Sequence, residues 1–239
     1  MKEKPKMPDR TETERGAVTF LDVLGWRGIW QRNPTAIETL HGLVQETEKQ
    51  ANLISKNYVD VPGENFRGKD QITKVLSISD TIAMFTTGSP KTAIEIQARI
   101  CSWLLEYALK QEIPIRGALS YGEYMVKNNI MLGYAVDEAA SWHEVTNWIG
   151  VVLTPSAQMK IKNEKLQAIT MYHQIPFKTR EQNLITCVDW MFEDLPELYK
   201  IITNKGPHTP EIAPKYLNTL AFLDRKSIPK KENDDHADA

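Results

Sequence analysis

Two aspartates are the first residues whose type and position suggest a functional site. Each lies where an apolar, β-prone run ends or is interrupted. Asp22 interrupts the run 18–24, and Asp80 separates the run 72–78 from the run 82–85. A carboxylate in a buried strand is costly unless a cation meets it. Two such carboxylates at neighbouring strand ends would form a site for a hard divalent ion such as Mg²⁺ or Mn²⁺.

Each aspartate also has an ordinary structural interpretation. Asp22 could satisfy the end of a strand before a turn, and Asp80 could form a hairpin turn together with Ser79. The residues alone leave both interpretations open. The metal interpretation makes the sharper prediction, because it requires the fold to bring the two carboxylates to the same edge of a sheet.

The elements that must position these residues alternate between strands and helices. Periodicity and turn residues predict a strand at 16–25, a helix after Asn33-Pro34, a hairpin at 70–87, a helix after Ser89-Pro90, a hairpin at 115–132, a helix from Tyr134, and strands at 148–153 and 167–175. The order β-α-β-β-α-β-β predicts an α+β fold with a ferredoxin-like mixed sheet and helices on one face. The first strand would then lie centrally, beside the hairpin that carries Asp80.

Composition excludes several classes of function. A formal net charge of −2 argues against non-specific nucleic-acid binding, which needs a surplus of positive charge. No apolar run approaches the roughly 20 residues that cross a bilayer, so we expect no direct membrane insertion. Cys101 and Cys187 are far apart and lack metal-ligand spacing, which is typical of buried thiols in a reducing cytosol. The expectation is a cytoplasmic globular protein without a nucleic-acid partner.

Four motifs in this order resemble those of the class III nucleotidyl cyclases. The stretch 20–26 (FLDVLGW) is similar to the family's first metal motif, and Asp80 follows Ser79 where the family carries its second metal carboxylate. The stretches 116–123 (RGALSYGE) and 133–141 (GYAVDEAAS) are similar to the family's third and fourth motifs. The resemblance covers residues 16–175 and implies the cyclase fold.

The resemblance also implies a two-metal mechanism. Two Mn²⁺ or Mg²⁺ ions would be held by Asp22, Asp80 and the backbone carbonyl near Val23. One ion lowers the pKa of the 3′-hydroxyl that attacks the α-phosphorus, and the other neutralises the triphosphate and the leaving pyrophosphate. Arg116 would bind the β- and γ-phosphates through its guanidinium fork. Its alternative is a surface ion pair at a strand end.

Departures from the family pattern suggest an altered base pocket. Ser141 stands where the purine cyclases carry a transition-state arginine, Asp137 where they carry a ribose-binding asparagine, and Ile130 where a residue reads the purine edge. The family's base-contacting lysine is retained as Lys74. A chain of this length with such a pocket resembles the stand-alone pyrimidine (uridylate or cytidylate) cyclases of Pycsar anti-phage defence. Their product, cyclic UMP or cyclic CMP, activates a separate effector.

The predicted nucleotide contacts are Phe20, Lys74, Arg116, Asp137 and Lys178. Lys74 could donate to a uracil carbonyl, which favours UTP over CTP, or could be a solvated strand residue. Asp137 could hold a ribose hydroxyl or cap its helix, and Lys178 could contact the γ-phosphate or be a plain surface lysine. The family completes each site across a homodimer, so the resemblance implies a homodimer.

Two alternatives remain open at this stage. One is a purine (adenylate) cyclase with a diverged pocket, and the other is an inert cyclase-like module that binds a nucleotide, which the loss of the arginine at Ser141 would support. In either case we expect a disordered arm at 1–15, the cyclase catalytic domain at 16–178, a C-terminal α/β extension packed on it at 179–226, and a disordered tail at 227–239.

Overall fold

A computed structural model describes residues 12–26, 29–64, 66, 72–179, 184–190, 195–204 and 209–227. Within these ranges the strands are β1 (Glu14–Val23), β2 (Thr73–Ile78), β3 (Thr81–Thr87), β4 (Ile115–Lys127), β5 (Ile130–Leu132), β6 (Gly150–Leu153), β7 (Ile169–Met171) and β8 (Thr186–Val188). The helices are α1 (Ile29–Arg32), α2 (Ala36–Lys56), α3 (Pro90–Lys110), α4 (Tyr134–Trp142), α5 (Pro155–Lys160), α6 (Leu195–Asn204) and α7 (Ala213–Ser227). Of the predicted disordered arm (1–15) and tail (227–239), residues 1–11 and 228–239 lie outside the described residues.

The strands form one mixed sheet, which confirms the predicted fold class. Their order is β2-β3-β1-β4-β6-β8-β7, with β5 paired to β4 outside this path. The first four strands in the order are antiparallel, and β6 joins β4 in parallel. As predicted, β1 lies centrally beside the β2–β3 hairpin. It begins at Glu14, two residues before the predicted start of the domain, because Glu14 and Arg15 continue the register with β4.

Helices cover both faces of the sheet, so the prediction that they lie on one face is wrong. The main core packs α2 and α3 against the odd-numbered side chains of β1, such as Ala17 and Leu21. A second core packs α4, through Ala135 and Ala139, against the opposite face of β1. Helix α4 is short, and the residues that it packs against the sheet are small. Its periodicity therefore did not indicate which face of the sheet it would cover. No helix in the described ranges is long and apolar enough to cross a membrane.

The C-terminal extension is part of the same sheet. Strand β8 lies between β6 and β7 in the sheet. A strand that follows residue 179 in the sequence is thus inserted between two strands that precede it. Helix α7 packs Phe222 against Trp148, with ring centroids 4.9 Å apart in an edge-on arrangement, and against Tyr172 at 5.0 Å. The predicted boundary at 178 therefore crosses a continuous core.

Gln97 fixes helix α3 to the two central strands. Its side chain is fully buried, and its amide nitrogen donates to the Ala17 carbonyl at 2.8 Å, the Met84 carbonyl at 3.1 Å and the Thr86 hydroxyl at 3.1 Å. The Thr19 hydroxyl donates to its amide oxygen. One glutamine thus satisfies polar groups on β1 and β3, which would be costly to leave unpaired in the core.

We expect Gln97→Leu to lower the free energy of unfolding by about 2–3 kcal/mol, because it strands these buried polar groups without removing much volume. The same change at the exposed Gln111, just after α3, should stay within about 0.5 kcal/mol of the parent. Urea denaturation of the two variants measures the difference. If the Gln97 and Gln111 variants are equally stable, the buried hydrogen bonds of Gln97 do not stabilise the fold.

Candidate active site

The register of the central strands places Asp22 at the end of the sheet where candidate site residues converge. Asp22, the penultimate residue of β1, lies opposite Thr81 of β3 and Arg116 of β4. Gly117 allows the two strands to approach at this point, because a Cβ there would lie 2.3 Å from the Phe20 carbonyl oxygen. The pairing of Asp22 with Arg116 thus follows from strand register and from a glycine beside it.

Asp22 and Arg116 form an ion pair that is largely buried. The Arg116 Nε and Nη2 atoms both donate to Asp22 Oδ2, at 3.0 and 2.9 Å. The exposed fractions of the two side chains are 8% for Arg116 and 14% for Asp22. The remaining terminal nitrogen, Nη1, donates to the carbonyls of Glu144 at 3.1 Å and Thr146 at 3.2 Å. Arg116 therefore contacts the first predicted metal carboxylate, and binding of Arg116 to a phosphate stays a prediction.

Burial dominates the electrostatics of Asp22. Loss of solvent raises the pKa of its carboxyl above the ordinary aspartate value, and the Arg116 hydrogen bond and charge oppose that rise. The charges of Glu144 and Asp80 raise the pKa further. Because both Arg116 bonds go to Oδ2, Oδ1 receives no hydrogen bond from the guanidinium, and a cation that met this oxygen would favour the ionised form.

Asp80 lies in the two-residue turn between β2 and β3, beside Ser79, whose φ is +56°. The turn interpretation is therefore correct for its backbone. The same turn touches the end of β1, because the Val23 N–H donates to the Asp80 carbonyl at 3.2 Å. The fold thus brings Asp80 and Asp22 to the same end of the sheet, as the metal interpretation required.

The donors at this end of the sheet suit Mg²⁺ or Mn²⁺. Asp22 and Asp80 offer carboxylate oxygens, and the adjoining strand end and turn offer main-chain carbonyls, which are the ligands that hard cations prefer. The described residues contain no cluster of three or more His, Cys, Asp or Glu side chains that could bind a metal by themselves. Binding would therefore depend on the two aspartates together with backbone, water or substrate oxygens.

Lys178 lies close to this ion pair. Burial and the Arg116 charge lower the pKa of its ammonium group, while Glu144 and Asp22 raise it. The main-chain N–H of Lys178 donates to the Val145 carbonyl at 2.9 Å. Lys178 also lines a cavity of about 380 Å³ together with Ala140, Ser141, His143, Glu144, Val145 and Thr179. The structure thus brings the predicted γ-phosphate lysine and the position of the missing arginine, Ser141, to one cavity.

Three other predicted contacts have surroundings of their own. Phe20 is a core residue beneath α4, 8% exposed, with its ring 6.0 Å from that of His143, so packing accounts for it. Asp137 is in the first turn of α4 but does not cap it, because Gly133 occupies the N-cap position. Its exposed side chain is in keeping with the favourable position of a carboxylate near a helix N-terminus.

Lys74 lies farther along the sheet from the aspartates. It pairs with Phe85, four residues along β3 from Thr81, the partner of Asp22, a separation of roughly 13 Å. Its ammonium group donates to the Asn128 carbonyl at 3.3 Å and lines a cavity of about 210 Å³. Other residues of this cavity are Glu14, Ile72, Phe85, Thr87, Tyr124 and Val126. Within one chain, Lys74 and the aspartates do not form a single pocket.

Sequence reasoning did not single out Lys215, on α7. Its pKa is lowered by burial and by the charges of Arg116 and Lys178, and the charge of Glu211 opposes this shift. Lys215 is 99 residues from Arg116 in the chain and belongs to no motif. No spacing or pattern could have found it, since only the docking of α7 brings it to this place.

No protein-family model and no curated protein sequence matches the chain. Among solved structures, the chain resembles the adenylyl cyclase CyaB of Pseudomonas aeruginosa, with a TM-score of 0.51, 15% identity, and coverage of 78% of this chain and 99% of that one. It also resembles a monomeric double mutant of the guanylyl cyclase domain of the RhoGC fusion protein from the aquatic fungus Blastocladiella emersonii. There the TM-score is 0.50, the identity 14%, and the coverage 75% and 97%. The chain therefore has the fold of the class III nucleotidyl cyclase domains.

Proposed function

We propose that this chain is a nucleotidyl cyclase, which converts a nucleoside triphosphate to its 3′,5′-cyclic monophosphate and pyrophosphate. The observation that carries the proposal is the placement of Asp22 and Asp80 at one end of the central strands, beside Arg116 and Lys178. A metal-assisted attack on a triphosphate requires carboxylates that hold the metal ions and cationic side chains beside them that face the phosphates. The cyclase fold supports the proposal, although the resemblance extends to fold alone.

The chain's own residues divide the work by charge. Asp22 and Asp80 would hold two divalent ions, which supply a more acidic 3′-hydroxyl and charge neutralisation at the phosphates. Arg116 holds Asp22 in place before any cation arrives. With a divalent ion held by Asp22, the guanidinium of Arg116 would be available to the β- and γ-phosphates, and Lys178 would bind them as a second cation.

We propose a pyrimidine triphosphate, UTP ahead of CTP, as the substrate. Ile130, at the position that reads the purine edge in the family, is apolar and 68% exposed, so it offers no hydrogen bond to a base. Ser141 donates to the Asp137 carbonyl of its own helix at 2.7 Å and brings no positive charge to the reaction. The following experiment distinguishes a pyrimidine cyclase from the two alternatives, a purine cyclase and an inert nucleotide-binding module.

Incubation of the purified protein with Mn²⁺ and each of ATP, GTP, CTP and UTP should yield cyclic UMP, or cyclic CMP, identified by mass spectrometry. Asp80→Asn and Asp22→Asn should each lower the rate at least about 100-fold, because either change removes a carboxylate that carries metal charge. Asp80 makes no ion pair among the described residues, so its variant is the safer test if Asp22→Asn fails to fold.

The matched control is Asp60→Asn, an exposed aspartate in the turn after α2, which should leave the rate unchanged. A cyclic purine product would identify a purine cyclase instead. The absence of cyclic product from all four triphosphates, with retained nucleotide binding, would support the inert module and contradict the enzyme.

Lys74 should influence substrate selection. We expect Lys74→Met to raise the KM for the preferred triphosphate about tenfold, because a charge-assisted hydrogen bond to a base carbonyl is lost. Lys127→Met, which removes an exposed lysine at the end of β4, is the control. An unchanged KM and an unchanged order of preference in Lys74→Met would exclude a base contact.

We further propose that the active form is a homodimer, which would let Lys74 of one subunit face the aspartates of the other. Ile130, Leu132 and Tyr134, 58–82% exposed, form an apolar group at β5 and the start of α4, and such groups mark interaction surfaces. Sedimentation velocity should show a dimer, and Tyr134→Asp should weaken it and lower activity. A strictly monomeric protein with full activity would contradict this assembly.

The resemblance to the Pycsar cyclases leads us to propose a role in anti-phage signalling, in which the cyclic pyrimidine activates a separate effector. Cells that express the chain together with its effector should resist phage, and cells with Asp80→Asn should not. Equal resistance in the two strains would exclude cyclase signalling as the cause.

A further inference from the structure

His143, the residue that directly follows α4, lies on the face of the sheet that carries the Asp22 side chain. Its ring centroid is 6.0 Å from that of Phe20, which packs beneath α4. Phe20 and Asp22 are two positions apart on β1, so their side chains are on the same face, roughly 7 Å apart along the strand. His143 therefore lies close to the first candidate metal carboxylate, although it is outside the motif 133–141.

A second set of contacts joins His143 to the ion pair. The carbonyl of the next residue, Glu144, accepts from Arg116 Nη1 at 3.1 Å, while Arg116 Nη2 donates to Asp22 at 2.9 Å. The His143 side chain is only 15% exposed, and it lines the cavity of about 380 Å³ that Lys178 also lines. This volume is typical of sites for small molecules. His143 thus borders both the ion pair and a cavity of ligand size.

The hydrogen bond of the imidazole determines which of its nitrogens carries the hydrogen. His143 Nδ1 lies 2.6 Å from the Ala140 carbonyl oxygen. Because a carbonyl only accepts, Nδ1 is the donor, and in the neutral ring Nε2 holds the lone pair. Among the described residues, Nε2 makes no hydrogen bond. A histidine whose Nδ1–H is held by a main-chain carbonyl, and whose Nε2 is left for the substrate, has the arrangement of a general base.

The surroundings of the ring can stabilise a proton on Nε2. Glu144 Oε1 is 3.6 Å from Nε2, which is too far for a hydrogen bond and close enough to stabilise a positive ring. Helix α4 ends at His143, and the partial negative charge of its last carbonyls also favours a cation there. The opposing positive charges are those of Lys178, across the cavity, and of Arg116, which Asp22 largely neutralises.

We propose that His143 is the general base of the cyclisation, a catalytic residue from the same subunit as Asp22. This inference rests on the proposed cyclase function. The 3′-oxygen forms its bond to the α-phosphorus while its proton passes to His143 Nε2. The bond from the α-phosphorus to the bridging oxygen breaks, and pyrophosphate leaves with the electron pair. The imidazolium, stabilised by Glu144, then gives its proton to solvent.

The first test is His143→Asn, whose amide can still donate to the Ala140 carbonyl but offers no Nε2 to accept a proton. It should lower kcat for the preferred triphosphate about 100-fold or more, and change KM less than about threefold, because a general base acts mainly in the transition state. The wild-type kcat should fall with decreasing pH as Nε2 becomes protonated, and the variant should lose this step. His143→Gln serves if His143→Asn fails to fold.

His41→Gln is the control, because it removes an exposed histidine from α2, and it should change neither the rate nor the pH profile. Nitrogen NMR of the full-length protein provides a measurement that needs no turnover: the neutral His143 ring should carry its hydrogen on Nδ1. A hydrogen on Nε2, or a wild-type kcat in His143→Asn, would overturn this inference alone. Absence of cyclic product from the wild type would instead overturn the proposed function, and this inference with it.

Discussion

The buried ion pair between Asp22 and Arg116 is the interaction on which the candidate site depends. It joins the two central strands at the end where Asp80 also lies, and it balances one carboxylate before any metal is present. Removal of one partner from such a pair typically costs about 3–5 kcal/mol, because the other charge is left buried and alone. The ion pair therefore lets the fold tolerate two neighbouring carboxylates at this site.

The pair would let one arginine serve both the structure and the proposed chemistry. Arg116 uses two nitrogens on a single oxygen of Asp22 and the third on main-chain carbonyls. A cation that competes for Asp22 would weaken the first contact and keep the second. The guanidinium would then stay anchored through Glu144 and Thr146 while its fork faces the place where phosphates are expected. An exchange of partners, rather than a large movement, would prepare the site.

Segment 144–149 connects the central strands of the sheet to the C-terminal extension. It follows α4, leads into β6, and receives hydrogen bonds from Arg116 and Asn218. The aromatic group around Phe222 packs behind it, and β8 completes the sheet next to β6. Because these contacts are continuous, the extension is a part of the same domain and not a separate appendage.

The sequence by itself indicated a mixed sheet, its central strand and the meeting of Asp22 with Asp80. These follow from local alternation, turn residues and the order of elements, since a two-residue turn and a fixed strand register leave few arrangements. It did not determine which face α4 covers, that Phe20 is core, or that Gly133 rather than Asp137 caps α4. Only the tertiary structure placed Arg116 on Asp22. That contact joins residues 94 positions apart, which no spacing in the chain encodes and which packing alone decides.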